Sequence, residues 1–162
     1  MNNKLFVLAL SFLVLIVSSC SSNEEVEKRV KEMTTELPEE EYVELVYLTF
    51  EDMSAKLDAN LEEYNTAISN GDAFNEKMEV TDILSVISDG QHEITLSGLP
   101  PEKYSDLHYQ MNNKLGETLD IIFEINDLYE SGREIRARQR MDEVINAFDQ
   151  AKMISQQITG KQ

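Results

Sequence analysis

Apolar residues along much of the chain alternate at spacings of three and four, the period of one face of an α-helix. The most regular stretch runs from residue 104 to residue 129 and keeps this alternation without a break. Its stripe consists of Tyr104, His108, Met111, Leu115, Thr118, Ile122, Ile125 and Tyr129. A heptad of this regularity predicts a long helix that packs one face against neighbouring helices.

Three further stretches predict long helices. The first follows Pro38, runs to about Ser69 and carries the stripe Tyr42, Val46, Thr49, Met53, Leu57, Leu61, Tyr64 and Ile68. The next starts after Asp72, a suitable N-cap, and its expected buried face holds Phe74, Met78, Thr81, Leu84, Ile87 and Ile94. The last ends near Gly160, with apolar positions Ile135, Met141, Val144, Ile145, Phe148, Ala151, Ile154 and Ile158. A shorter stripe, Val26, Val30, Met33 and Leu37, predicts a short helix before them.

Glycine and proline mark the ends of these patterns. Asn70-Gly71, the segment 97–101 and Ser131-Gly132 each fall between two predicted helices. Gly90 lies inside the third pattern, and a glycine there costs ~1 kcal/mol relative to alanine, which leaves the continuity of that helix open. Short connections favour antiparallel neighbours. The sequence therefore predicts an all-α, up-down-up-down bundle of four long helices, preceded by a short N-terminal helix.

The N-terminus has a different pattern, typical of a signal peptide. One positive charge at Lys4 precedes mostly apolar residues from Leu5 to Val17, and small residues follow. This apolar stretch is shorter than the ~20 residues with which a helix crosses a bilayer. We therefore exclude residues 1–19 from the fold and assign residues 24–162 to the helical bundle domain.

The segment Val17-Ser18-Ser19-Cys20 resembles the lipobox of bacterial lipoprotein precursors. The resemblance covers residues 1–20, and it implies cleavage before Cys20, acylation of that cysteine with chains such as palmitate, and a tether at residues 20–23. Cys20 is the only cysteine, so it cannot form an internal disulfide. The implied location is the cell envelope, on the extracytoplasmic side of a cell membrane or an outer membrane, with the membrane as a partner through the anchor.

The net charge restricts which classes of partner the domain can bind. The chain has 31 acidic and 14 basic side chains, a formal net charge of −17. Nucleic-acid binding needs a basic footprint, and an anionic membrane surface repels an acidic domain. We expect no nucleic-acid partner and a domain that stands off its bilayer.

Two sets of residues could form a polar site. His92 and His108 lie at nearly equal distances from the turn at residues 98–101, and Asp89 shares a helical face with His92, so these three could ligate a divalent metal. The sharper Glu-x-x-His pairs of di-iron bundles are absent, and a stripe histidine bonded to a neighbour is the favoured explanation. We therefore expect no metal and no cofactor.

Arginines at 133, 136, 138 and 140 form the densest basic cluster, at the start of a predicted helix where the helix dipole disfavours them. Arg133, Arg136 and Arg140 are candidate ligands for anionic head groups or wall phosphate. The favoured explanation is ion pairs across the Ser131-Gly132 turn, with Glu130, Asp127 and Glu124 respectively.

The chain contains no nucleophile elbow and no phosphate-binding glycine loop. We therefore expect a protein that is not an enzyme. The leading hypothesis is a non-catalytic protein-interaction or envelope-structure module that binds a protein segment. The alternative is a carrier of a small ligand or metal, using a polar layer near the Gly98 turn.

Overall fold

The chain is described by a computed structural model that covers residues 28, 30, 31 and 33–161. Four long helices dominate it: α1 (Glu39–Asn70), α2 (Ala73–Leu96), α3 (Ser105–Glu130) and α4 (Glu134–Thr159). A 3-10 turn, Glu102–Tyr104, precedes α3. The described residues form no strand, so the predicted all-α class is confirmed. Of the predicted N-terminal helix, residues 28, 30, 31 and 33 are helical, and the rest of 24–32 lies outside the described residues.

The ends of α1 and α2 follow from local chemistry. Pro38 precedes three glutamates in the first turn of α1, where negative charge complements the helix dipole. Gly71 ends α1 at φ 68°, a conformation that glycine adopts without strain. Asp72 then caps α2 by accepting a hydrogen bond from the Asn75 backbone N–H at 3.1 Å. The predicted N-cap is therefore confirmed.

The helices pack around one core. α1 contacts α2 and α4, and α3 contacts the same two helices. The stripe predicted for α3 is confirmed from Met111 onward, because its residues there are all buried: Met111, Leu115, Thr118, Ile122, Ile125 and Tyr129. Tyr104 and His108, at the start of the same stripe, are half-buried.

The buried face of α2 differs from the predicted one in its first turns. The buried positions are Glu76, Val80, Ile83, Ile87, Gly90 and Ile94. Phe74 is 72% exposed, Met78 is 45% exposed and Thr81 is exposed, so the predicted burial of these three is wrong. Glu76 occupies the core position between Phe74 and Met78, because Arg138 of α4 neutralises its carboxylate there.

Gly90 does not break α2, because the helix continues through it to Leu96. A Cβ atom at this position would lie 2.6 Å from Cγ of Met53, which is 1% exposed. The glycine thus lets the Met53 side chain of α1 pack against the backbone of α2.

Residues 35–37 pair with the loop between α2 and α3, and we call this pairing the clasp. The N–H of Leu37 donates to the Leu99 carbonyl at 2.9 Å, and the N–H of Leu99 donates to the Thr35 carbonyl at 2.9 Å. Gly98 has φ 146°, and a Cβ there would lie 2.8 Å from the Thr35 oxygen. The close approach of the two backbones therefore requires glycine.

Candidate functional site

One side chain from each helix meets in a cluster of polar groups that we call the four-helix cluster, in which three members are buried and the last is half-buried: Tyr64, Glu76, Tyr129 and Arg138. Arg138 binds the Glu76 carboxylate with two parallel hydrogen bonds, from Nε at 2.7 Å and from Nη2 at 2.6 Å. The Tyr129 hydroxyl donates to Oε2 of Glu76 at 2.8 Å, and the Tyr64 hydroxyl lies 3.0 Å from that of Tyr129. These contacts join residues near the ends of α1 and α3 to residues near the starts of α2 and α4.

The charges of the four-helix cluster are stabilised by its own members. Glu76 has no exposed surface, and its hydrogen bonds from Arg138 hold the pKa of the carboxyl below its ordinary value despite burial. The same carboxylate raises the pKa of the Arg138 guanidinium. Burial, followed by the bonds to Tyr64 and Glu76, raises the pKa of Tyr129. The cluster therefore holds one paired carboxylate and two neutral phenols.

This arrangement suits a structural role better than a chemical one. Both oxygens of Glu76 are occupied by protein donors, so the carboxylate has little capacity left to act as a base. Bidentate pairing also fixes the geometry of its two partners more tightly than a single contact. The four-helix cluster thus links side chains of all four helices at one place in the bundle.

A second group of polar side chains surrounds His108, and we call Tyr42, Tyr104, His108 and Asn112 the His108 cluster. The Tyr42 hydroxyl lies 2.9 Å from Nδ1 of His108, and Nδ2 of Asn112 lies 2.8 Å from Nε2. The ring of Tyr104 stacks on that of Tyr42, with centroids 5.7 Å apart. Both ring nitrogens of the histidine are therefore engaged by neighbouring side chains.

The His108 cluster favours a neutral imidazole. With the amide nitrogen of Asn112 placed beside Nε2, that ring nitrogen accepts and the ring proton is assigned to Nδ1, which donates to the Tyr42 oxygen. A second proton on Nε2 would face the N–H of Asn112, a donor. Burial acts in the same direction and lowers the pKa of His108. Burial also raises the pKa of Tyr42.

The three candidate metal ligands are not assembled into a site. His108 is half-buried and engaged as above, whereas His92 and Asp89 are exposed. Asp89 accepts a hydrogen bond from Ser85, at 3.3 Å. Among the described residues, no group of three or more His, Cys, Asp or Glu side chains is arranged to hold a metal ion.

Three of the four arginines have side-chain partners, and each of the three has its own. Arg140 binds Glu124, as the ion-pair explanation expected, and also Glu143 at 2.9 Å. Arg133 donates instead to the Ser131 hydroxyl at 2.8 Å, and Glu130 pairs with Lys77 of α2.

Arg136 is exposed and forms no ion pair within the part of the chain that the structure describes, so the expected pair with Asp127 is absent. Arg138, for which no partner was predicted, makes the most buried of these pairs. The arginines thus act mostly in separate contacts, and only Arg133 and Arg136 leave their charge without a carboxylate.

An open groove of about 460 Å³ runs between α1 and α2, and we call it the acidic groove. Its charged lining consists of Asp52, Lys56, Asp82, Asp89 and Glu93. Lys56 pairs with Asp52 at 2.7 Å, and this contact, with further attraction from Asp89 and Glu93, raises the pKa of the lysine. Lys56 is thus the one cation among four carboxylates in this lining.

A further carboxylate, Glu79, lies just outside the acidic groove, nearer the start of α2. Burial raises the pKa of Glu79, and the charges of Asp82 and Glu63 raise it further. Apart from Asp52, these carboxylates form no ion pair with the described residues, and such an accumulation of negative charge is what a positively charged ligand would complement.

Cys20 and the rest of the proposed signal peptide lie outside the described residues. Among the helices that are described, none has the length and apolarity needed to cross a membrane.

Sequence reasoning missed the four-helix cluster. Its sequence signal is Glu76 itself, which lies four residues before Val80 and seven before Ile83, on the stripe that continues to Ile87. A carboxylate on an otherwise apolar face implies a buried cation on another helix, since buried charges are paired. The sequence does not identify that cation, because four arginines lie close together at 133–140.

No protein-family model, no curated protein and no solved structure matches this chain.

Proposed function

We propose that the protein is a lipoprotein, anchored through acylated Cys20 on the outer side of a bacterial membrane. The support is the order of Lys4, the apolar stretch 5–17, two small residues and the cysteine. Two or more acyl chains on one cysteine give stable anchoring, since each buried methylene contributes ~0.8 kcal/mol. The net charge of −17 favours a domain held away from anionic lipid.

The proposed architecture is an up-down-up-down bundle in which neighbouring helices are antiparallel, preceded by a short N-terminal helix. Tyr42 and His108 bring the start of α1 close to the start of α3. Tyr64 and Tyr129 bring the two C-terminal ends together. The four-helix cluster adds the starts of α2 and α4 at that second end. These contacts support parallel diagonal pairs and antiparallel neighbours.

The proposed activity is non-catalytic binding of a basic protein segment, and the observation that carries it is the acidic groove. The groove is open to solvent, as a site for an extended or helical segment requires. The two buried polar clusters, by contrast, are filled by contacts among their own side chains. This contrast favours a surface binding module over a small-ligand carrier near the Gly98 turn.

The anchor is tested by Cys20→Ala in the full-length precursor. We expect loss of labelling by radioactive palmitate and release of the protein from membranes, measured by flotation and intact mass. Membrane retention and mass that do not change in this variant would contradict the lipoprotein proposal.

The binding proposal is tested with a fluorescent lysine-rich helical peptide and a glutamate-rich peptide of the same length. We expect binding of the basic peptide alone, weakened by added salt because screening reduces exposed charge interactions. The groove variant Asp82→Asn/Asp89→Asn/Glu93→Gln should bind severalfold more weakly.

The matched control, Asp120→Asn/Asp142→Asn/Asp149→Asn, removes three exposed carboxylates outside the groove lining. This control should retain most of the affinity. Equal weakening by the two triple variants would attribute binding to net charge and would contradict a role for the groove.

A further inference from the structure

We infer that the clasp determines which end of the bundle faces the membrane. The inference rests on the proposed anchor at Cys20. It assigns the end with the 98–104 loop to the membrane side and the turns at Gly71 and Gly132 to the far side.

The clasp holds the chain at one defined end of the bundle. Two backbone hydrogen bonds, each 2.9 Å, join residues 35–37 to Leu99 immediately before α1 begins. The Leu37 side chain also packs against the core. Without this pairing, the residues before Pro38 would form a single-chain hinge. With it, the incoming chain is fixed to α1 and to the loop that leads into α3.

The contacts just before the clasp extend this fixed region. The Thr34 hydroxyl donates to the Val30 carbonyl at 2.9 Å, and the Thr35 hydroxyl donates to the Lys31 carbonyl at 2.6 Å. The Lys103 ammonium pairs with Glu39 at 2.5 Å and lies 4.7 Å from the ring centroid of Tyr104. The starts of α1 and α3 are therefore joined by the clasp, by this ion pair and by the His108 cluster.

The length of the chain between the anchor and the clasp then decides which end of the domain lies nearer the bilayer. Residues 28, 30, 31 and 33 are helical and rise only about 1.5 Å each, so the chain from Cys20 to Thr35 reaches about 40 Å at most, which is less than the length of α1. The 32 residues of α1 extend about 48 Å from that end to Gly71. Electrostatic repulsion disfavours a bundle that lies flat on anionic lipid. The clasped end is therefore proximal, and the acidic groove, lined by middle segments of α1 and α2, is held above the surface.

Energy transfer to a lipid acceptor tests this orientation on the full-length, acylated protein. Acylation consumes Cys20, the only natural cysteine, so one engineered cysteine gives one dye position. Glu102→Cys labels the clasped end and Asn70→Cys labels the opposite end, both at exposed positions. In phosphatidylcholine vesicles with some phosphatidylglycerol and a fluorescent acceptor lipid, we expect severalfold greater transfer from position 102. Equal transfer, or greater transfer from position 70, would overturn the inference.

Gly98→Ala tests the role of the clasp, because its Cβ would meet the Thr35 oxygen. We expect the difference between the two dye positions to shrink, together with faster amide exchange at Leu37 and Leu99. Gly132→Ala is the control, since Gly132 also has positive φ, 67°, but has no atom within 4 Å of an added Cβ. An unchanged difference in Gly98→Ala, with exchange at Leu37 increased, would show that the clasp does not set the orientation.

Failure of the anchor is distinguishable from failure of this inference. A protein that lacks the acyl mass and does not float with vesicles contradicts the proposed lipoprotein. A protein that floats and carries acyl chains, yet shows equal transfer from both ends, contradicts only the orientation.

Discussion

Glu76 is a buried carboxylate whose charge is balanced by a single cation. It has no exposed surface, and its charge is balanced by Arg138, whose side chain is 34% exposed. Arg138→Gln would leave a buried carboxylate without its cation. Removal of one partner from a buried pair costs about 3–5 kcal/mol, and partial solvation of Arg138 reduces the expected loss to about 2–4 kcal/mol.

Urea unfolding measures this loss, and Arg136→Gln is the matched control. Arg136 lies two residues away, is exposed and makes no ion pair with the described residues, so the control should change stability by ~0.5 kcal/mol or less. Equal effects of the two variants would contradict a structural role for the Glu76–Arg138 pair.

His108 makes stability depend on pH. Burial lowers its pKa below the ordinary value of 6.5, so the unfolded chain takes up the proton first as the pH falls. The stabilisation from the neutral ring is complete above the unfolded pKa and is lost as the pH falls from there through the folded pKa. The free energy of unfolding should therefore decrease between about pH 7 and pH 5.

Urea midpoints across this range provide the measurement. The decrease should flatten in His108→Gln, which removes the titrating ring, and should persist in His92→Gln, since His92 is exposed. A decrease that persists fully in His108→Gln would show that other groups cause it.

At the level of elements, two glycines inside helices should respond oppositely to alanine. Gly90→Ala places a Cβ against the buried Met53 side chain, so repacking should outweigh the gain in helix propensity and destabilise by ~1–3 kcal/mol. Gly116→Ala meets only Nε2 of Gln91, at 3.9 Å, and should stabilise by ~0.5–1 kcal/mol. Thermal melts of both variants show whether each substitution raises or lowers the melting midpoint. Stabilisation by Gly90→Ala would contradict tight packing of Met53 on α2.

At the level of the whole molecule, we expect residues 24–162 to fold cooperatively without lipid or metal. The core joins apolar residues from all four helices, and burial of each such side chain contributes ~1.5–3 kcal/mol. The melting midpoint should therefore be the same with and without a chelator, and the same for the acylated and the truncated protein in detergent. A large chelator-dependent fall in the midpoint that disappears in His92→Gln/His108→Gln would instead support the metal-carrier hypothesis.

The sequence could predict the four helices, their ends and the stripe of α3, because these features depend on residues that are close together in the sequence. Glycine at Gly71, the cap at Asp72 and the three-four spacing from Met111 to Tyr129 act within one or two turns of helix. The antiparallel order of the helices stays a prediction, supported by the contacts at both ends of the bundle. The signal peptide and the lipobox also stay predictions, because they lie outside the described residues.

Contacts distant in sequence decided the rest. The pairing of Glu76 with Arg138 joins residues that are 62 positions apart, and it placed a carboxylate where periodicity had favoured Phe74 and Met78. The clasp likewise depends on a loop more than 60 positions away, and the role of Gly90 depends on Met53. Sequence patterns show which face of a helix is apolar. They do not show which side chain pairs with a buried charge or where two backbones approach closely, because those contacts form only when the helices pack together.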